Sequence, residues 1–120
     1  MTTTTLDAAV LAELQLIMGD DFALLLQTFS DDSVQRLQAL EATREDVDAL
    51  RRAAHSFKGS ASNVGAVALA RSCLELENYC QQCLHAGQSL DAAHTERLLA
   101  VVRDRLSATR EVLAARFPAD

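Results

Sequence analysis

Apolar residues recur at alternating spacings of three and four along much of this 120-residue sequence, and this limits the folds that the chain can adopt. The clearest case runs through six apolar positions in the middle of the chain: Val47, Leu50, Ala54, Phe57, Ala61 and Val64. Such spacing is typical of a helix that buries one face in a bundle core. Pro118, the single proline, lies beyond every stretch of this kind. The sequence therefore predicts an all-α protein.

Capping and turn residues divide the pattern into a short first helix and four long ones. The five predicted helices span approximately residues 7–18, 22–42, 46–63, 66–86 and 92–116. Asp20 and Asp21 are predicted to cap the second helix, and Ser89 or Asp91 the last one. Four long amphipathic helices with short connections predict an antiparallel four-helix bundle, with the short N-terminal helix packed across one end or side.

Length and composition indicate a single domain, residues 1–120, in which residues 1–5 carry no pattern and are expected to be frayed. Hydrophobic residues make up 49% of the sequence, yet no apolar run approaches the ~18 residues of a membrane span, and no leader peptide is evident. We therefore expect a cytoplasmic monomer with no membrane partner. The net charge of −6 argues against a nucleic-acid partner.

The stretch AHSFKGSASNVGA, residues 54–66, departs from a simple packing pattern. At about 100° per residue, His55 lies roughly 130° from the centre of the apolar face, so its imidazole should be exposed. Helical side chains lean toward the N-terminus, so Lys58, the only lysine in the chain, can bring its ammonium to the imidazole. A side chain at position 59 would cover one face of the ring. Gly59 leaves that face open, at a cost of about 1 kcal/mol of helix stability.

Each of these three residues has an ordinary explanation when it is taken alone. An exposed histidine usually has no special role, and a helix can tolerate one glycine. Together, an exposed nucleophile, an adjacent cation and an open approach indicate a site where the imidazole of His55 meets something bulky.

The segment HSFKGSASNVGA resembles the signature of the histidine-containing phosphotransfer (HPt) domain family, roughly His-x-x-Lys-Gly-[Ser/Ala]-[Ser/Ala]-x-x-apolar-Gly. Seven residues match in register: His55, Lys58, Gly59, Ser60, Ala61, Val64 and Gly65. The patterns LxxLxxxxGDD before the second helix and LExxC in the fourth are also similar to family members. The resemblance covers essentially the whole chain beyond its first few residues. It implies a four-helix bundle that acts in a multistep phosphorelay.

The resemblance also implies partners. His55 would accept a phosphoryl group from an aspartate of a response-regulator receiver domain and pass it to another receiver, with a hybrid sensor histidine kinase as the source. Magnesium would belong to the receiver. The sequence has no Gly-rich nucleotide loop and no acidic metal cluster, so we expect no cofactor and no kinase activity of its own.

The residues themselves suit this chemistry. A neutral imidazole, with a reference pKa of about 6.5, is a nucleophile near pH 7, and its nitrogen farther from the backbone is the expected acceptor. Lys58 would neutralise charge on the transferred group, and Gly59 would allow its approach. Arg51 and Arg52, one turn earlier, would add weaker and salt-sensitive attraction.

Glu77 departs from the family pattern. HPt domains often place a polar residue, frequently glutamine, where it can bond the imidazole, and the residue 22 positions after His55 is Glu77. A carboxylate there would hold the inner N–H and raise the basicity of the ring, but it would also lie near a dianionic phosphate. Alternatively, Glu77 is an outward-facing helix residue, and this is the interpretation that we slightly favour.

Three other functions remain open. Cys80, Cys83 and His85 resemble part of a zinc site, but all three cysteines of the chain fall on an apolar stripe, where free cysteine behaves as a small hydrophobe. The bundle could instead be a non-catalytic interaction module. It could also be a segment of a larger hybrid kinase, although the initial methionine and the completed last helix argue against this. Asp31 and Asp32 diverge by about 100° on their helix and are expected to be solvated.

Overall fold

The computed structural model describes residues 4–117. Its helices are α1 (Ala8–Met18), α2 (Phe22–Ala42), α3 (Val47–Asn63), α4 (Val67–Ala86) and α5 (Ala92–Arg116), with a 3₁₀ turn at Gly19–Asp21. The predicted helix bounds agree with these to within one residue. Pro118 and residues 1–3 of the segment expected to be frayed lie outside the described residues.

The four long helices form a closed bundle. Helix α3 packs against α2 and α4, and α5 packs against the same two helices from the other side. Short connections make successive helices antiparallel, so the predicted four-helix bundle is confirmed. None of the helices within residues 4–117 has the length and apolar character needed to cross a membrane.

Helix α1 lies at one end of the bundle, against the start of α2 and the turn between α3 and α4. Gly65 makes this packing possible. Its φ of +73° favours glycine, its carbonyl accepts the Asp7 N–H at 2.7 Å, and a Cβ at this position would lie 3.1 Å from Cβ of Val10. The turn therefore needs glycine both for its backbone angles and for the close approach of α1.

The predicted apolar stripes form the core. On α3, Leu50, Ala54, Phe57 and Ala61 have no exposed surface, and Val47 is partly buried at the edge of the core. On α4, the apolar stripe that carries the three cysteines is buried along its length, at Leu69, Cys73, Leu76, Cys80 and Cys83. Burial of a large apolar side chain contributes roughly 1.5–3 kcal/mol, so Phe57 and Leu50 hold α3 at one rotation about its axis.

Helix caps agree only in part with the sequence predictions. Of the two alternatives predicted for α5, Asp91 rather than Ser89 is the cap, and it accepts the His94 N–H at 2.9 Å. Asp46, for which no cap was predicted, accepts the Ala49 N–H at 3.1 Å at the start of α3. The predicted side-chain cap of α2 by Asp20 and Asp21 is wrong, since no carboxylate bonds its first turn. Asp21 has helical rather than extended backbone angles, because the 3₁₀ turn runs directly into α2.

Candidate functional site

His55 lies on the outer face of α3. Its side chain is 63% exposed, as the spacing of the apolar stripe predicts. The exposure follows from the core, because burial of the adjacent Ala54 turns position 55 toward solvent. The imidazole is therefore accessible to a large partner.

A buried carboxylate holds the inner edge of this imidazole. Glu77 of α4 is 8% exposed, and its Oε2 lies 2.8 Å from Nδ1 of His55. The interpretation of Glu77 as an outward-facing helix residue is thus wrong. Glu77 lies four residues after Cys73 and three before Cys80, so it is at the edge of the buried stripe of α4. This spacing was the signal in the sequence that Glu77 is buried. A carboxylate is tolerated there because two donors satisfy it.

The second donor to Glu77 is Lys58. Its Nζ lies 2.7 Å from Oε1 of Glu77, and its side chain is 27% exposed. The i+3 spacing predicts an ammonium beside the imidazole. In the structure the ammonium binds the carboxylate that holds the imidazole. The three residues form one chain of contacts, His55–Glu77–Lys58, that joins α3 to α4.

The ionisation of Glu77 sets the tautomer of His55. Burial raises the pKa of the Glu77 carboxyl, but the hydrogen bonds from Lys58 and His55 outweigh burial and hold this pKa below its usual value. Glu77 is then an ionised group at neutral pH, which can only accept. A neutral imidazole must donate Nδ1–H to it, and Nε2 keeps its lone pair on the exposed side.

Gly59 leaves the approach to the imidazole open. No atom within 4 Å would touch a Cβ built at this position, and its backbone angles are ordinary for a helix. Neither the packing nor the backbone of residues 4–117 therefore requires glycine here. The space beside position 59 is therefore open to solvent.

Arg51 and Arg52 both form ion pairs with Asp48. Their guanidinium groups lie 2.9 Å and 2.5 Å from the two oxygens of Asp48. The hydrogen bond from Arg51, together with that from Arg52, holds the pKa of the Asp48 carboxyl below its usual value. Their predicted attraction for a phosphoryl group on His55 is thus offset by a neighbouring negative charge.

A further contact beside His55 was not predicted. Arg36 of α2 donates to Oγ of Ser56 at 2.6 Å and to Oδ2 of Asp32 at 2.6 Å. The i,i+4 pair of Asp32 and Arg36 is visible in the sequence, but the contact across to α3 depends on how the helices are aligned. Asp31 instead accepts from Gln27 at 3.0 Å, so the two aspartates do diverge.

The cysteines belong to the core. Burial raises the pKa of the Cys73 thiol to about 12 and that of Cys80 to about 11, so both are protonated at neutral pH. Cys73 and Cys80 therefore behave as small hydrophobic residues of the core. Within the part of the chain that the structure describes, no three His, Cys, Asp or Glu side chains form a metal-binding group.

The fold and the site together define a class of protein: a four-helix bundle that presents one exposed histidine, held by a buried carboxylate, with a lysine and a glycine one turn later. The family model of the Hpt domain matches residues 24–112. A search of curated proteins finds no significant match.

Two solved structures are similar to this chain over most of its length. Histidine-containing phosphotransfer protein B (HptB) from Pseudomonas aeruginosa is 36% identical, with a TM-score of 0.84 and coverage of 96% of each chain. The maize histidine-containing phosphotransfer protein ZmHP2 is 23% identical, with a TM-score of 0.77 and coverage of 93% of this chain and 88% of that one; it supports the fold alone. The chain therefore belongs to the Hpt domain family, whose members carry phosphoryl groups in phosphorelays and are not kinases.

Proposed function

We propose that Nε2 of His55 accepts a phosphoryl group from the aspartyl phosphate of a response-regulator receiver domain and passes it to the aspartate of a second receiver. The observation that carries this proposal is the bond between Glu77 and Nδ1, which leaves Nε2 as the unprotonated, solvent-facing nitrogen. Membership of the Hpt family supports the same chemistry.

The transfer step is a displacement at phosphorus. The Nε2 lone pair forms the N–P bond while the P–O bond to the donor aspartate breaks, and that aspartate leaves as a carboxylate. The ring becomes positively charged and keeps its Nδ1–H, which the Glu77 carboxylate stabilises. In the onward step an acceptor carboxylate attacks phosphorus, and imidazole leaves as a neutral group because Nδ1 is still protonated.

Lys58 supplies the positive charge near the transferred group. Its flexible stem and 27% exposure allow Nζ to exchange between Oε1 of Glu77 and a phosphoryl oxygen. The exchange would offset the repulsion between Glu77 and a dianionic phosphate. Gly59 contributes open space beside the ring, which an in-line approach by another protein domain requires.

The receiver would dock over the exposed face of α3 with α1 beside it. Three large apolar side chains are exposed at the end of α1 and the start of α2: Leu16 at 85%, Ile17 at 72% and Leu24 at 66%. Exposed apolar residues grouped in this way are common at protein interfaces. This surface supports a protein partner rather than a small-molecule donor.

The phosphate would originate in a hybrid sensor histidine kinase, and any magnesium required would be held by the receiver. We expect the chain to act as a cytoplasmic monomer that needs no cofactor, no nucleic acid and no nucleotide of its own.

Phosphate transfer from labelled receivers tests this function. A panel of receiver domains from the source organism is phosphorylated with a labelled small-molecule phosphoryl donor, such as acetyl phosphate, separated from that donor, and mixed with the wild type, His55→Gln and Lys58→Ala. We expect acid-labile, alkali-stable label on the wild type, none on His55→Gln and slower labelling of Lys58→Ala. Equal labelling of His55→Gln, or no label from any receiver, would exclude the proposal and favour the interaction module.

A further inference from the structure

A groove between α3 and α4 opens directly beside the His55 site. It encloses about 530 Å³, and Lys58 forms part of its wall. Because Lys58 also binds the carboxylate that holds His55, the groove and the histidine share a residue. Whatever occupies the groove therefore contacts a residue of the His55 site.

The floor of the groove is apolar. It is formed by Val67, Ala70 and Leu74 of α4. Leu74 is 40% exposed and Val67 is 37% exposed, so both can bury further surface against a partner. A protein segment with apolar side chains would fit this floor better than water does.

Arg71 gives the groove a positive charge that no ion pair within residues 4–117 neutralises. The basic residues nearest to His55 are all paired: Arg36 with Asp32, Arg51 and Arg52 with Asp48, and Lys58 with Glu77. Arg71, which also lines the groove, makes no ion pair within residues 4–117. Glu75 lines the groove one turn later but does not form an ion pair with Arg71. An exposed arginine next to apolar surface is suited to bind a carboxylate of a partner.

We infer that this groove docks an acidic segment of the receiver, with Arg71 binding a carboxylate and Leu74 packing against an adjacent apolar side chain. The inference rests on the proposed function and extends the receiver contact across His55 to the other side of α3. Arg71 is then a residue that determines which receivers bind, and it takes no part in the transfer step itself.

The test uses the receiver that labels the wild type fastest and measures the labelling rate against receiver concentration. Arg71→Glu is compared with Arg97→Glu, the same charge change at an exposed position of α5 outside the groove. Leu74→Ala is compared with Leu84→Ala, since Leu84 lies on the same helix and is 39% exposed. Labelling of His55 by phosphoramidate, a small phosphoryl donor that needs no docking surface, is measured for all four variants.

We expect Arg71→Glu to raise the half-saturating receiver concentration by about tenfold. Leu74→Ala should raise this concentration by less. For the controls, Arg97→Glu and Leu84→Ala, it should be near the wild-type value. Added salt should weaken receiver binding by the wild type more than receiver binding by Arg71→Glu. Phosphoramidate labelling should be equal in all variants.

Three results would overturn the inference. If Arg71→Glu matches Arg97→Glu, the groove does not dock the receiver, although the proposed function stands. If Arg71→Glu also loses phosphoramidate labelling, the substitution acts on the His55 site and not on docking. Absence of receiver labelling in the wild type would remove the proposed function and this inference together.

Discussion

Oε2 of Glu77 and Nδ1 of His55 belong to different helices, yet they lie 2.8 Å apart. Because Glu77 is buried and His55 is exposed, the bond anchors a solvent-facing ring to the interior of the bundle. The bond fixes the orientation of the ring as well as its tautomer.

Replacing Glu77 should therefore slow phosphoryl transfer. We expect Glu77→Ala to reduce the rate by about tenfold or more, because the ring loses its orientation and its preferred tautomer. Glu77→Gln should be intermediate, since the amide oxygen still accepts Nδ1–H without the charge. Labelling from a phospho-receiver measures the rates, and ¹⁵N NMR of the imidazole reports the tautomer. Glu111→Gln, at an exposed position of α5, is the control; a wild-type rate and tautomer in Glu77→Ala would contradict the assigned role.

The same carboxylate should make folding stability depend on pH. The pKa of Glu77 in the folded protein lies below its unfolded value of about 4.3, so its contribution is fully present above that value. It is lost as the pH falls through the lower, folded pKa. The excess stability of the wild type over Glu77→Gln should thus shrink as the pH falls below about 4. Urea denaturation at several pH values below this point measures the difference, and a difference that grows there on further acidification would show that the sign is wrong.

Gly59→Ala should separate stability from function. Alanine at this open helical position should stabilise the protein by about 0.8–1 kcal/mol. The added methyl group should nevertheless slow transfer from a receiver, because it narrows the approach to His55. Gly87→Ala is the matched control and should destabilise, since Gly87 has φ of +64°. Faster transfer in Gly59→Ala, or a loss of stability, would contradict the assigned role.

Charge near the phosphoryl group should matter most at Lys58. We expect Lys58→Ala to slow transfer by about ten- to a hundredfold, because the phosphoryl oxygens and Glu77 would then repel each other without a cation between them. Arg52→Ala should change the rate by no more than about twofold, since Arg52 is 70% exposed and paired with Asp48. Equal effects of the two substitutions would indicate that only the overall charge of the region matters.

The sequence predicted the helices and the exposed position of His55 because both depend on local patterns. The spacing from Val47 to Val64 fixes which side of α3 is buried, and position 55 follows from it. The contacts between helices were harder to predict. Glu77 and Arg36 reach α3 only because α4 and α2 are aligned with it along the bundle axis, and no local pattern encodes that alignment. The capping prediction for Asp20 and Asp21 failed because the 3₁₀ turn, not the side chains, begins α2.

The cysteine side chains of α4 are buried in the bundle core on the same helix as Glu77. Cys73 and Cys80 stand four residues before and three residues after Glu77, and neither has exposed surface. A thiol reagent can reach them only when α4 separates from the bundle. The opening that exposes them also takes Glu77 away from His55. The rate at which Cys73 and Cys80 react with such a reagent would therefore measure how often Glu77 separates from His55.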